Sequence, residues 1–344
     1  MTHSDFHDDD EYRHDNCGFA ASDDIRVGYI SGLTFTRKQI TYSMVGGKGT
    51  FEGCIVVGTQ EEIERREADA RAAADAGDLQ QAVVISDESK RWPDALMPYE
   101  INASLPNQAR VTDAIAHWTA NTNMRFVQRT SGNAAQYPNF VRFVPSEFCR
   151  SSVGMVGGMQ EIELAAGCST GSTIHEIGHA WGLWHEQSRE DRDDFVTINW
   201  SNIEDGRQHN FNQHISDGTD IGAYDYGSIM HYGRTAFSKN GQPTIEPKQA
   251  GVSIGQRTAL SQRDIDAVHF IYKTWWNGVR VYDAFASHDR ENAWANLEGL
   301  GWRKVEPKSP DGVTNMFLCI TEAVANNLRI DAYADGTTLE ILYL

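Results

Sequence analysis

One eleven-residue stretch constrains this chain more than any other: His175-Glu176-Ile177-Gly178-His179-Ala180-Trp181-Gly182-Leu183-Trp184-His185. On a helix turning about 100° per residue, His175 and His179 lie about 40° apart, so both imidazoles leave one face. Gly182 can adopt the positive φ that ends a helix, which lets the chain turn back and offer His185 as a third nitrogen. Three neutral imidazoles leave one coordination position open, and an open position is what separates a catalytic zinc site from a closed structural one. Glu176 is then placed to take a proton from water polarised there, whose pKa zinc lowers to about 7. A buried amphipathic helix with hydrogen-bonded core histidines explains any one of these residues. It does not explain the set.

A second signal follows at Ser228-Ile229-Met230-His231-Tyr232, which resembles a Met-turn. A long zinc motif followed by a Met-turn marks the metzincins. Further stretches narrow the match: Glu186 after the third histidine, Gln187-Ser188-Arg189, Asp191-Arg192-Asp193-Asp194, Val196 to Trp200, and later Ile254-Gly255-Gln256-Arg257, Leu260-Ser261 and Asp264-Ile265. Over roughly Trp92 to Tyr272 the chain resembles the astacin family of zinc endopeptidases. The fold implied is α+β, a metzincin catalytic domain with a twisted sheet, an active-site helix and a Met-turn subdomain on either side of a cleft. The resemblance implies one Zn2+ per chain held by His175, His179 and His185. Glu176 would act as general base and Met230 as an apolar floor beneath the ligands. Tyr232 would be a phenol able to approach the metal and later stabilise the oxyanion. It makes Glu186 the partner of a newly freed N-terminus, and points Arg257 into the pocket for the residue after the cleaved bond, where a guanidinium favours Asp or Glu. A zinc-dependent binding module is the competing reading. It needs neither Glu176 nor Tyr232.

The resemblance divides the chain into a propeptide at 1–81, a catalytic domain at 82–274 and a small accessory domain at 275–344. Phe51-Glu52-Gly53-Cys54 is similar to the family's propeptide motif F-x-G-D, whose aspartate occupies the open zinc position and keeps the enzyme latent. Cysteine stands here where that aspartate is expected. A thiolate is a good zinc ligand, so Cys54 is the expected switch; a disulfide to Cys17 is the alternative. Thr59 with Glu62 reads as a capping box, opening an exposed helix that runs from Glu61 to Ala76, ends near Gly77 and serves as a solvated spacer. Activating cleavage, by another protease or by the enzyme itself, is expected near Gln80 to Val84.

In the central part, Val111, Ile115 and Trp118 form one stripe on a helix from about Asn107 to Thr122 that should back a sheet. Candidate strands are Arg125 to Gln128, Asn139 to Val144 and a Gly-rich stretch from Val153 to Leu164, the last of which in the family pairs antiparallel with the bound peptide. Cys149 and Cys168 resemble a family disulfide, which implies maturation in an oxidising compartment. Beyond Tyr272 the family pattern stops. There Ala286 to Leu300 reads as a helix, with Ala293, Leu297 and Leu300 on one face. Asn315 to Thr321, Leu328 to Ala332 and Thr338 to Leu344 read as strands, again α+β. Cys319 is left to pair with Cys17 or stay buried and free.

With 30 Lys+Arg against 48 Asp+Glu the net charge is −18, which argues against nucleic acid or an anionic membrane as partner. Protein or peptide substrates are expected instead. No transmembrane run occurs, and the first ten residues lack the basic and apolar regions of a secretory signal. A secreted or exported enzyme is expected, either with its signal already trimmed from this sequence or leaving by a route the sequence does not show. His3, His7 and His14 among acids read as a solvated tail.

Overall fold

The computed structural model describes residues 18–30, 38–75, 90–213, 220–272, 274–289, 292–306, 310–335 and 338–343. Cys17, the three tail histidines, Gly77 and the expected cleavage region near Gln80 to Val84 lie outside them.

The N-terminal segment builds a meander of four antiparallel strands, β1 (Ile25–Ile30), β2 (Lys38–Val45), β3 (Lys48–Phe51) and β4 (Ile55–Thr59), in the order β1-β2-β3-β4. Helix α1 (Gln60–Asp75) follows directly. Its capping box forms: the Glu62 N–H donates to Thr59 Oγ1 at 3.2 Å and the Thr59 N–H to the Glu62 carboxylate at 2.8 Å. It is more than a solvated spacer, because Ile63 is buried in a core with Tyr42 and Phe51. Gly49 lets the helix sit that close, since a Cβ there would meet Ile63 Cδ1 at 2.7 Å.

The central part carries β5 (Leu96–Ile101), α2 (Ala109–Asn121), β6 (Arg125–Gln128), β7 (Phe140–Pro145), β8 (Met159–Leu164) and α3 (Thr170–Trp181). The sheet runs β6-β5-β7-β8 with every pairing parallel. Val111 and Trp118 of α2 are buried against α3 and the sheet, as the stripe predicts. Indole N–H groups fasten the layers: Trp118 donates to the Ile174 carbonyl (3.1 Å) and Trp92 to that of Ala180 (2.8 Å). The strand expected over Val153 to Leu164 begins only at Met159, because Gly157 and Gly158 take φ of 89° and 65° and break the extended run. The backbone that faces the N-terminal segment lies upstream of it. Ser151 donates to the Cys54 carbonyl (2.9 Å), and Val56 donates to that of Ser151 (2.8 Å), a short parallel pairing. Cys149 and Cys168 are joined in a disulfide, with Cα atoms 6.2 Å apart. The buried Arg110 donates to the Ala165 and Cys168 carbonyls at 2.6 Å each, which pins the loop entering α3.

The chain then forms a two-stranded ribbon, β9 (Val196–Ile198) with β10 (Ile245–Pro247), and a mixed aromatic and aliphatic core around Phe211, Tyr232 and Phe237. Helix α4 (Gln262–Ile271) packs Val268 and Ile271 back onto the main core.

Beyond it lies a closed barrel in the order β11-β12-β13-β15-β14, made of β11 (Thr274–Ala286), β12 (Ala293–Leu297), β13 (Gly301–Val305), β14 (Arg329–Ala334) and β15 (Thr338–Tyr343), with α5 (Pro310–Asn326) packed on it. Two expectations are corrected here. The span read as a helix from Ala286 to Leu300 contains β12, whose Ala293, Ala295 and Leu297 are buried in alternation. A period of two repeats at i, i+4 just as a helical stripe does. Asn315 to Thr321 is helical, because Val313, Ile320 and Ala323 recur on one buried face of a longer run. Among the described residues no helix is long and apolar enough to cross a membrane.

Candidate metal centre and active site

Helix α3 begins at Ser169, whose hydroxyl accepts from the Ser172 N–H at 3.0 Å. It ends at Gly182 with φ of 106°, a left-handed cap that lets the chain reverse. The reversal brings His185 back to the helix, so that the rings of His175, His179 and His185 lie 4.6 to 5.4 Å apart by centroid.

Cys54 completes the group. Its Sγ is 3.6 Å from His175 Nε2, 3.4 Å from His179 Nε2 and 3.1 Å from His185 Nε2, and all four residues are buried. A tetrahedral zinc with Zn–S of about 2.3 Å and Zn–N of about 2.0 to 2.1 Å puts sulfur and nitrogen about 3.5 Å apart, so the donor set fits such an ion. Each ring is also oriented for it. The Nδ1–H of His175 donates to the Ile229 carbonyl (2.9 Å), that of His179 to the Leu183 carbonyl (2.8 Å) and that of His185 to the Glu52 carboxylate (2.6 Å), which leaves every Nε2 turned inward.

Burial pushes the His175 and His179 imidazoles well down toward the neutral form. It pushes the Cys54 thiol well up, with the Glu176 and Glu52 carboxylates adding to the rise. A divalent cation among these donors reverses the direction for the thiol. Glu176 is buried and its carboxyl is likewise raised well above the ordinary range. Its Oε2 has no hydrogen-bond partner among the described residues. Glu176 lines a cavity of about 500 Å³ with Cys54, His175, His185, Tyr232 and Arg257. Burial holds the Tyr232 phenol well above its usual range as well, and its hydroxyl donates to the Glu52 main-chain carbonyl at 2.6 Å.

Residues 84–273 match the model of the peptidase family described as Astacin. The chain belongs to the astacin family. "Zinc metalloproteinase nas-13" of Caenorhabditis elegans is 42% identical over 187 residues, which cover 53% of this chain and 41% of that relative. "Blastula protease 10" of Paracentrotus lividus is 42% identical over 195 residues, covering 54% and 33%. Among solved structures, High choriolytic enzyme 1, a hatching enzyme zinc-protease from Oryzias latipes, shares 36% identity at a TM-score of 0.49, covering 55% of this chain and 97% of that one. This astacin thus spans about two fifths and one third of the curated relatives it matches first.

The remaining astacin-motif residues surround the same centre. Met230 lies under α3: a Cβ on Gly178, between the two helix histidines, would meet Met230 Sδ at 2.9 Å. Arg257 gives one guanidinium nitrogen to the carbonyls of Ile229 (2.8 Å), His231 (3.1 Å) and Gln256 (2.9 Å), and its backbone rests against Gly171. Asp264 accepts from Ser228 Oγ (2.6 Å) and the Ile229 N–H (2.9 Å), so it clamps the Met-turn to the start of α4. Glu186 accepts from the Asp225 N–H at 2.7 Å, and burial raises its pKa to about 8 against the opposing pull of Arg189.

Sequence reasoning passed over Glu52. Its φ is 46° and that of Gly53 is 68°, two successive left-handed residues that aim the Glu52 side chain, the Glu52 carbonyl and the Cys54 thiol at one centre. A Cβ on Gly53 would strike Phe19 and Phe237 at 2.6 and 2.7 Å. The signal was present in the motif, since a polar residue beside a glycine required at positive φ is carried into the site with it.

Proposed function

We propose that this chain is the latent form of a secreted or exported zinc endopeptidase, with a propeptide at 1–81, a catalytic domain at 82–274 and an accessory domain at 275–344. The observation that carries the reading is the convergence of three inward Nε2 atoms on one point beside a buried Glu176 with an unpartnered oxygen, on the wall of a cavity that His175 and His185 also line. A zinc ion held by His175, His179 and His185 supplies Lewis acidity toward the scissile carbonyl and the attacking water. Glu176 takes the proton of that water and returns it to the leaving amine. Tyr232, once released from the Glu52 carbonyl, gives its O–H to the developing oxyanion, a role in keeping with its place beside His185 at 4.7 Å between ring centroids. The N–H and C=O of Ser151, paired here with Cys54 and Val56, become free to hold the substrate backbone.

Latency follows from the same contacts. With zinc bound, Cys54 would hold the ligand position that water needs, so water and substrate would have no place until the N-terminal segment is removed, by an activating protease or by self-cleavage. Arg257 on the cavity wall favours Asp or Glu just after the cut bond; loss of such enrichment from a peptide-library profile in Arg257→Ala is the expected result.

Casein digestion tests the main reading. The full chain, trimmed of its N-terminal segment after folding, should digest casein, lose that activity with a zinc chelator and regain it when zinc is restored. Digestion unchanged by metal removal refutes a zinc mechanism, and absence of digestion by zinc-loaded, trimmed protein refutes the endopeptidase reading.

A further inference from the structure

Resting on the endopeptidase reading, we infer that the cleft side opposite Arg257 carries a carboxylate pair, Glu161 and Glu163, that selects Lys or Arg in the substrate residues preceding the cut bond. The structure already holds a side chain of this kind there. Lys48, from the N-terminal segment, places its ammonium 2.7 Å from Glu161 Oε2 and 2.5 Å from Glu163 Oε1. The lysine comes from a part of the chain separate from the acids, reaching across the cleft in the manner of a bound cationic side chain.

The position follows from the backbone. Past Cys54 the N-terminal segment pairs with Ser151 through Val56. Lys48, Val56, Ser152 and Glu161 all line one cavity of about 390 Å³. Arg257 lines the separate cavity on the Tyr232 side. A peptide with its scissile bond at the histidines therefore reaches both, and if its acidic residue after the bond meets Arg257, residues before the bond run past Glu161.

Glu163 is 5% exposed and already shared: Arg150 Nε donates to its Oε2 at 2.7 Å and Ser146 Oγ to the same oxygen at 2.8 Å. These contacts, with Lys48, hold its carboxyl below the usual range although burial opposes them. Arg150 is itself shared with the N-terminal segment, donating to the Val45 carbonyl (3.1 Å) and Thr50 Oγ1 (2.9 Å). When that segment leaves, Arg150 still covers one carboxylate, while Glu161 and the Oε1 side of Glu163 lose the ammonium that bridges them. Lys90 lines the same cavity, as do Arg65 and Arg66 of the N-terminal segment, which leave with it; the demand for a cation is local. It is set by the two oxygens that converge on one ammonium rather than by the sum of charges around the cavity.

The test uses the full chain, trimmed after folding, on a peptide library and on matched peptides carrying Lys or its neutral isostere norleucine before the bond. Wild type should cut the Lys peptide about fivefold faster in kcat/KM, a factor reduced from that of a buried charged contact because the Glu161 side chain is one-third exposed. Glu161→Gln should abolish that ratio while leaving the norleucine peptide unchanged, and Glu161→Lys should turn the upstream preference toward Asp and Glu. The ratio should also shrink with added salt, which a purely structural role for Glu161 does not predict. A flat upstream profile from an enzyme that cuts the library well overturns this inference and leaves the endopeptidase reading standing; no cleavage of any peptide overturns both.

Discussion

Removal of the Glu52 side chain is the sharpest test of how the site is kept shut. Glu52 is wholly buried, and its carboxylate accepts from His185 Nδ1 and from Ser188 Oγ, each at 2.6 Å. Buried hydrogen bonds to a charged group contribute about 1.5 to 3 kcal/mol each. Hydration of His185, Ser188 and the released carboxylate in the open state offsets part of that sum, which leaves about 2 to 3 kcal/mol favouring the closed form. Glu52→Ala should then raise the open fraction of the uncut chain about 30- to 150-fold, at 1.4 kcal/mol per factor of ten. The main-chain contact to Tyr232 is retained, so the effect isolates the carboxylate. Glu52→Gly should be leakier than wild type but less so than Glu52→Ala, since glycine relieves a left-handed φ that costs an L-residue about 1 kcal/mol. The assay is the initial rate on a quenched fluorescent peptide, with the intact mass confirmed before and after. An uncut Glu52→Ala chain as silent as wild type, yet fully active once trimmed, refutes the argument.

Glu176→Ala should keep one zinc per chain by metal analysis while losing about 10²- to 10⁴-fold in turnover, because the proton acceptor goes and the three imidazoles stay; near-normal casein digestion removes Glu176 from its role. Zinc K-edge spectroscopy of the uncut chain should show one sulfur neighbour that disappears in Cys54→Ala, and a shell of nitrogen and oxygen alone in wild type dismisses the thiolate switch. Glu186 lies beside a cavity of about 50 Å³ lined also by Trp184, Ile221 and Asp225, room for an incoming ammonium. Two extra residues on the trimmed N-terminus should lower both melting temperature and activity, and an extended form equal to the native one makes Glu186 a bystander.

The clustering of His175, His179 and His185 was legible because it is local. Helix periodicity sets His175 and His179, and Gly182 sets the return of His185. Thr59 and Glu62 announced α1 for the same reason. What the sequence hid is what depends on pairing across long separations. Lys48 and Glu163 are 115 residues apart, and no spacing rule connects them. In the barrel the error came from degeneracy: Ala293 and Leu297 satisfy a helical stripe as well as an alternating strand, and only partners such as Arg303 opposite Ala295 decide between them. The strand expected at Asn315 to Thr321 failed because a seven-residue window cannot separate a strand from the middle of a seventeen-residue helix.

Cys54 and Glu52 act through one event, the seating of a single turn, and their energies should not add. With zinc in place, a thiolate at Cys54 and a carboxylate at Glu52 would together balance the two positive charges of the ion among buried side chains. Loss of either lets the turn that carries both residues lift, and a lifted turn also loosens the contact that remains. Once the turn is unseated by one substitution, the second has little left to remove. The rate of the uncut Cys54→Ala/Glu52→Ala chain should therefore fall short of the product of the two single increases by at least about tenfold, a coupling of about 1.4 kcal/mol in a double-mutant cycle. The same peptide assay measures it, with activity expressed as a fraction of the trimmed enzyme, which is one and the same protein for every variant because both residues leave with the segment. Strict multiplication of the two effects means that thiol and carboxylate hold the segment independently, and the single-turn account fails.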